Sequence, residues 1–139
     1  MKLSTRGKYG VYTMVYLASR EDSGPQSLKE ITQGILLPEN YIEQLLGSLR
    51  RAGLVKTVRG AHGGYQLAKE PDKITVGDIF DATEGKLSLS DCLGDSAASC
   101  PQSGSCPTRG VWEYLTDSIN RLFSSVSLKD MLENNVKEQ

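Results

Sequence analysis

Regularly spaced apolar residues predict two helices in the amino-terminal part of the chain. The stretch "STRGKYGVYTMVYLASR" offers Ser4 and Thr5 as candidate caps. Its apolar side chains recur on one helical face, at Val11, Met14, Val15 and Ala18. After the turn "EDSGPQ", the segment "SLKEITQG" begins with a predicted capping box formed by Ser27 and Glu30. We expect this second helix to end at Gly34, because glycine commonly terminates helices.

A third helix is predicted to follow, with one apolar and one polar face. Pro38 suits its first turn and Gly53 its end, in "PENYIEQLLGSLRRAG". The apolar face, which we interpret as core, consists of Ile42, Leu45, Leu46 and Leu49. The opposite face follows the spacing i, i+3, i+4 and i+7 and consists of Asn40, Glu43, Gln44 and Gly47. The polar side chains of this face either have a function or simply face water.

After the third helix, the spacing of apolar residues changes from the helical period to the shorter period of β-strands. The runs "LVKTV" and "YQLA" flank "RGAHGG", which predicts a β-hairpin with a flexible, positively charged tip. The segment "TVGDIFDATEG" predicts a short helix capped by Thr75, and Ser127 with Asp130 forms another capping box near the end. Between them, a heptad spacing predicts a long helix through Trp112, Leu115, Ile119, Leu122 and Val126. Three helices followed by a hairpin are typical of a winged helix-turn-helix, so the predicted fold is mainly α with a small β-hairpin.

Composition places the chain among ordinary globular proteins. Of its 139 residues, 38% are hydrophobic and 24% are charged. No uncharged apolar run approaches the length that spans a membrane, and no signal-peptide pattern opens the chain. We therefore expect a cytoplasmic protein with no membrane partner. Thiols stay reduced in that compartment, and an odd number of cysteines, three, argues against a disulfide framework.

The net charge of −1 conceals a division between the two halves of the chain. Residues 1–65 contain nine Lys or Arg and five Asp or Glu, a net charge of +4. Residues 66–139 contain seven and twelve, a net charge of −5. The amino-terminal half therefore suits a polyanionic partner, although many solvated protein faces are equally basic.

The polar face of the third helix suits the base edges of double-stranded DNA. Gln44 can pair with adenine, Asn40 can donate or accept, and Glu43 can accept from the amino group of cytosine. Phosphates repel the charge of Glu43, so this acid would lower general affinity and add selectivity. The alternative is that all three side chains simply face water.

The hairpin tip and the surrounding basic residues complete a predicted DNA-binding set. Arg59 stands where a wing would meet the minor groove, and Gly60, Gly63 and Gly64 would let the backbone approach a phosphate. His62, the only histidine, is placed at the groove or in solvent. The predicted phosphate contacts, each of which could instead be a solubilising charge, are Lys2, Arg6, Lys8, Arg50, Arg51 and Lys56.

All three cysteines lie in "DCLGDSAASCPQSGSC", among glycine, serine and proline. Seven residues separate Cys92 from Cys100 and five separate Cys100 from Cys106, which excludes the CxxC pattern of zinc ribbons and thioredoxin-type centres. Buried structural cysteines would lie in apolar stretches. The surroundings therefore favour metal ligation, for example of an iron–sulfur cluster, over core packing.

Several segments resemble the IscR/NsrR/CymR superfamily of bacterial winged-helix transcription regulators. The resemblance runs from Met1 to about Met131 and is carried by "MKLSTRGKYGV", by "YIEQLLGSLRRAGLVKTVRGAHGGYQLAKEPDKITVGDI" and by the three-cysteine segment followed by a helix with a tryptophan. It implies a homodimer on a palindromic operator, joined through the long carboxy-terminal helix. The implied division is a winged-helix DNA-binding domain (1–84), a cluster loop (85–107), and a dimerisation helix with a carboxy-terminal helix (108–139).

The resemblance is closest to the cluster-binding, IscR-like members, whereas CymR-like members lack the triad. It implies an iron–sulfur cluster, 2Fe–2S or alternatively 4Fe–4S, on Cys92, Cys100 and Cys106. The slot of the IscR-like histidine ligand holds Arg109, which cannot bind iron, and Lys8 occupies the slot of the partner's carboxylate in nitric-oxide sensors. The candidates for a fourth ligand stay open; they include Asp91, Asp95, Glu84, Glu113, a hydroxyl and a small exogenous ligand.

The sequence thus predicts a transcription regulator, a repressor of iron–sulfur cluster biogenesis genes that senses cluster status. One alternative is a thiol-redox, nitric-oxide or cysteine-metabolism regulator of the same superfamily. Another is a regulatory subunit that binds an enzyme partner. An enzyme is not expected, because the chain offers no set of acid, base and nucleophile and no usual phosphate-binding glycine motif.

Overall fold

Six α-helices and one β-hairpin make up the part of the chain that the structure, a computed structural model, describes: residues 3–89 and 107–134. In chain order they are α1 (Thr5–Ser19), α2 (Leu28–Ile35), α3 (Glu39–Arg51), β1 (Val55–Val58), β2 (Gly64–Leu67), α4 (Val76–Glu84), α5 (Arg109–Ser125) and α6 (Leu128–Leu132). Two single turns of 3-10 helix, Glu21–Ser23 and Pro71–Lys73, precede α2 and α4.

Side-chain caps open four of the six helices of the described residues, as the sequence predicts. The Ser4 hydroxyl accepts a hydrogen bond of 2.9 Å from the backbone N–H of Gly7. At the start of α2, Ser27 and Glu30 exchange bonds of 3.1 and 3.2 Å in a complete capping box. The same reciprocal arrangement opens α4 and α6, with the pairs Thr75–Asp78 and Ser127–Asp130.

The end of α2 differs from the prediction. The helix continues past Gly34 to Ile35, and Leu36 closes it in the left-handed conformation, at φ 63°. Gly34 has another role: a Cβ at this position would lie 2.6 Å from Cζ and 2.7 Å from the hydroxyl oxygen of Tyr16. The glycine therefore lets α1 and α2 approach each other and does not terminate the helix.

The core lies between the helix-turn-helix formed by α2 and α3, the hairpin, and helices α1, α4 and α6. Ile42, Leu45, Leu46 and Leu49 of α3 are fully buried, which confirms the predicted apolar face. The core cluster draws on every element except α5 and includes Met14, Leu17, Ile31, Ile35, Leu54, Val55, Leu67, Ile74, Ile79 and Leu128.

The hairpin is antiparallel and is fixed to the rest of the fold. Its register pairs Val55 with Leu67 and Val58 with Gly64, within one residue of the predicted strands. Outside the hairpin, Gln26 bonds to β2 through both backbone groups of Tyr65, at 2.9 and 2.7 Å. This bridge joins the β2 strand to the segment that leads into α2.

Helices α4 to α6 connect back to the amino-terminal part. The backbone N–H of Val76 donates to Val126, and that of Leu128 donates to Ile74, each at 2.9 Å. Leu128 of α6 is fully buried in the core. The proposed division of the chain at residues 84 and 107 stays a prediction, but α6 packs within the same core as α1.

Helix α5 exposes a row of apolar side chains, which we call its seam. Thr116 is its one buried residue, and large apolar side chains along it are exposed, among them Val111, Trp112, Leu115 and Leu122. None of the helices within residues 3–89 and 107–134 combines the length and apolar character that crossing a bilayer requires.

Candidate nucleic-acid interface

Helix α3 turns its predicted base-reading side chains outwards. Asn40, Glu43 and Gln44 are all exposed, because the apolar residues between them fill the core. The helix leaves the α2–α3 turn at Pro38, so the three residues fall in its first two turns. An exposed row near the amino-terminal end of such a helix has the geometry that major-groove contacts need.

These side chains share one surface depression with two arginines. The depression measures about 570 Å³ and is lined by Arg6, Asn40, Glu43, Gln44, Gly47 and Arg51. Amide and carboxylate groups can bond base edges, and guanidinium groups bind phosphate. Gly47 presents no side chain to this surface, so the space between the arginines and the polar row stays open.

Arg6 lies deeper than a simple surface cation. Its side chain is half-buried, Nε donates 2.9 Å to the backbone carbonyl of Thr83, and Nη2 donates 2.6 Å to the hydroxyl of Ser48. Arg51 Nη2 donates to the same hydroxyl at 3.2 Å. Within residues 3–89 and 107–134, neither guanidinium forms an ion pair with a carboxylate. The two guanidiniums therefore bring positive charge to this depression, which the carboxylate of Glu43 also lines.

The remaining predicted phosphate contacts are spread over the surface. Lys8, Arg50 and Lys56 are exposed, whereas Lys2 lies outside the described residues. Arg50 and Arg51 also lie in the last turn of α3, where positive charge stabilises the helix dipole. Their position thus has a local reason apart from any role at DNA, and the phosphate contacts stay predictions.

The hairpin tip carries Arg59 and Gly60 on its exposed side. His62 is exposed too, but it lines a separate depression of about 650 Å³ together with Arg20 and Glu30. Gly64 has φ 152°, and a Cβ there would lie 2.8 Å from the backbone nitrogen of Ser27. Close packing of the hairpin on the residues before α2 therefore explains this glycine without a phosphate.

The cysteine triad, Cys92, Cys100 and Cys106, lies outside the described residues, as do Asp91 and Asp95. Of the other candidate ligands, Glu84 is exposed at the end of α4. Glu113 accepts from Arg109 Nε at 2.9 Å in an exposed ion pair. In the described part of the chain, no three His, Cys, Asp or Glu side chains are grouped to hold a metal ion.

Sequence reasoning missed Ser48 and Thr83, the two acceptors of Arg6. Ser48 is 7% and Thr83 9% exposed. Ser48 accepts through its hydroxyl, which lies among apolar side chains and could have signalled a buried polar partner. Thr83 accepts through its backbone carbonyl, while its hydroxyl donates to the carbonyl of Ile79. Nothing in the sequence indicates that the partner is Arg6.

Known proteins match this chain over nearly its whole length. The Rrf2 family, described as an iron-dependent transcriptional regulator, matches residues 3–134. The HTH-type transcriptional regulator CymR of Bacillus subtilis strain 168 is 43% identical over 131 residues, which cover 94% of this chain and 89% of that protein.

Solved structures agree with the sequence comparison. The structure of CymR, described as the global cysteine regulator of B. subtilis, has a TM-score of 0.77 and 41% identity, and the match covers 96% of this chain and 98% of that one. T. potens IscR has a TM-score of 0.78 and 42% identity, covering 100% and 93%. The predicted winged-helix fold is confirmed, and these relatives are named as regulators, not enzymes.

Proposed function

This chain belongs to the Rrf2 family of transcriptional regulators, and we propose that it is a repressor that binds a palindromic operator as a homodimer and responds to an iron–sulfur cluster. The genes that it controls would be those of iron–sulfur cluster biogenesis. Because its operator DNA lies in the bacterial cytoplasm, the protein would act there.

One observation supports the DNA-binding surface above all others: the exposed polar row of α3 lies in a depression edged by two arginines without carboxylate partners in the described part of the chain. In this proposal Asn40, Glu43 and Gln44 contact bases in the major groove. Arg51 contributes positive charge beside them, and Arg59 extends the contact into the minor groove.

The exposed seam of α5 supports the homodimer. Val111 is 52% exposed and Leu122 is 66% exposed, on the same side of a 17-residue helix. Large apolar residues in a continuous row indicate a protein interface. A second copy of the chain would cover this seam through its own α5, as the heptad spacing suggests. Two α3 helices related by a twofold axis then match a palindromic operator.

The cysteines support a cluster through their chemistry. Thiolates are the donors that iron–sulfur clusters use, and Cys92, Cys100 and Cys106 would provide three of the ligands. A bound cluster would supply a redox-active, removable centre in the segment between α4 and α5. Glu113 is a weaker candidate for the fourth ligand than its sequence position suggests, because Arg109 holds its carboxylate.

A second candidate function is regulation by cysteine metabolism or thiol oxidation. The observation that favours it is the 43% identity to CymR, a protein described as the global cysteine regulator of B. subtilis. In this alternative the same α3 surface binds DNA, and oxidation of a cysteine, rather than cluster loss, changes its affinity.

Anoxic purification separates the two candidates. A cluster regulator is expected to be coloured, with visible absorbance and about stoichiometric iron and sulfide, and Cys100→Ser should abolish all three signals. A control variant, Gln102→Ala, removes a side-chain amide from the same segment and should keep them. A colourless wild-type protein without iron, whose thiols oxidise reversibly, would instead establish the thiol mechanism.

A further inference from the structure

Arg6 connects three helices through one side chain. From α1, its guanidinium reaches Thr83 of α4, 77 residues away, and Ser48 of α3, 42 residues away. Both acceptors are almost fully buried. The guanidinium donates to these two acceptors from separate nitrogens, Nε and Nη2, which one rigid plane holds apart, whereas an ammonium has a single nitrogen.

The bond from Arg6 reaches α3 close to the predicted base-reading side chains. Ser48 lies one turn after Gln44 and next to Gly47, and it accepts hydrogen bonds from two arginines that line the depression with the polar row. Its hydroxyl also accepts from Arg51, so the bond from Arg6 and the bond from Arg51 meet at one oxygen. A shift of Ser48 would move both the polar row and the Arg51 guanidinium.

We propose that Arg6 is a positioning residue: by tying the carboxy-terminal turn of α4 to Ser48, it sets the orientation of α3 and the place of Arg51 against DNA. This inference rests on the proposed function, in which α3 binds a duplex. It is an alternative to the prediction that Arg6 contacts a phosphate, and it is suggested by the bonds that Nε and Nη2 make within the protein.

The two roles predict different effects of Arg6→Lys. Lysine keeps the positive charge but has one donor nitrogen in place of the two, Nε and Nη2, that bond Thr83 and Ser48. A positioning role predicts that the ratio of affinities for a selected and a random duplex falls roughly tenfold, since hydrogen bonds from charged groups are the strong ones. The slope of log affinity against log salt stays as in the wild type, because no phosphate contact is lost.

Arg121→Lys is the matched control. Arg121 is exposed on α5, outside the predicted DNA-binding set, and the same chemical change there should leave both the affinity ratio and the salt slope unaltered. Fluorescence anisotropy with a duplex selected by this protein from a random library gives both quantities. Thermal unfolding of each variant, followed by circular dichroism, establishes that it is folded at the assay temperature.

Ser48→Ala provides the second arm. It removes the acceptor from α3 without changing charge, and it should lower the affinity ratio to a similar extent. If Arg6 acts through Ser48, the double variant loses no more than either single variant. Additive losses would overturn the proposal.

Two further outcomes overturn it in recognisable ways. If Arg6→Lys keeps the wild-type ratio, positive charge alone explains Arg6. If Arg6→Gln weakens binding to all duplexes in parallel and lowers the salt slope by about 0.9, Arg6 contacts a phosphate directly. A wild-type protein that binds no duplex would refute the proposed function itself, which is a different failure.

Discussion

Glu43 is the acid among the three exposed side chains of the α3 row. It lies in a depression with two guanidiniums, yet forms no ion pair within the described residues. Near DNA, phosphates would repel its carboxylate. The carboxylate would accept a hydrogen bond where a cytosine amino group faces it. Such a residue lowers binding to most sequences more than to the right one.

Glu43→Ala is therefore expected to relax sequence preference. Affinity for random duplexes should rise, while that for a cytosine-bearing selected site falls or stays level, so the discrimination drops by about 1–3 kcal/mol. Competition binding with the two duplexes measures it. Glu39→Ala, at an exposed acid in the first turn of α3, is the control and should raise both affinities together. A parallel change for Glu43→Ala would contradict the role.

Leu36 stores backbone strain at the turn between α2 and α3. It is 85% exposed and has φ 63°, a conformation that costs a residue with a Cβ about 1–2 kcal/mol. Leu36→Gly should raise the free energy of unfolding by about 0.5–1 kcal/mol, after the greater freedom of glycine in the unfolded chain is subtracted.

Urea unfolding measures this gain, and Leu36→Ala separates its cause. Alanine keeps a Cβ in the left-handed region, so it should give no comparable stabilisation. Equal gains in both variants would show that exposure of the leucine side chain, and not backbone strain, is the source.

Whether the position or contact of a residue can be predicted from the sequence depends on how far apart along the chain the interacting residues lie. The exposure of Asn40, Glu43 and Gln44 could be predicted because helical periodicity is local. The link from Arg6 to Ser48 and Thr83 could not, because it joins residues 42 and 77 positions apart that only the folded chain brings together.

At the scale of elements, glycine allows α1 to pack closely on α4. A Cβ at Gly7 would lie 2.7 Å from Cδ1 and 2.8 Å from Cζ of Phe80. The Phe80 ring is held in turn by Phe123 of α5, with centroids 5.1 Å apart. The ring therefore has little room to move away, and Gly7 fixes the distance between the two helices.

Two glycine-to-alanine changes should consequently have opposite signs. Gly7→Ala should lower the free energy of unfolding by about 1–3 kcal/mol, because the new methyl group overpacks the contact with Phe80. Gly47→Ala should raise it by about 0.5–1 kcal/mol, since alanine favours the helix and its Cβ meets only Arg51 Nη1, at 3.4 Å. Chemical unfolding measures both, and stabilisation by Gly7→Ala would contradict the packing.

Helix beginnings were predictable and one helix end was not. The capping pairs, such as Ser27 with Glu30, lie three residues apart and act within one turn. The end of α2 was misplaced because Gly34 serves contact with Tyr16, a residue of another helix. A glycine that ends a helix and a glycine that allows close helix packing look the same in the sequence. Only the packing in the structure distinguishes them.

At the scale of the whole molecule, the proposed homodimer depends on the seam of α5. Leu122→Glu should place a carboxylate in the seam and convert a dimer to a monomer, measured by sedimentation velocity. Arg121→Glu puts the same carboxylate one residue earlier, on an exposed side of α5 away from the heptad row, and should leave the dimer intact. Dissociation by both variants, or by neither, would contradict a dimer through this seam.

The packing of α6 on the core was not predictable from the sequence. Its capping box predicts a helix, but not that Leu128 enters the core beside α1 or that its N–H bonds to Ile74. Through these contacts the residues after α5 are anchored to the same body as α3. A conformational change in the segment before α5 would thus act on α5, a helix that is held at both α4 and α6.

The affinity of one selected palindromic duplex for the anoxically isolated protein and for its cluster-free form tests the central claim most directly. We expect salt-dependent binding by both forms, with affinities that differ by about 5- to 150-fold, corresponding to a coupling of about 1–3 kcal/mol. Equal affinities would contradict control by the cysteine segment, and the absence of binding in both forms would contradict the α3 surface as a DNA site.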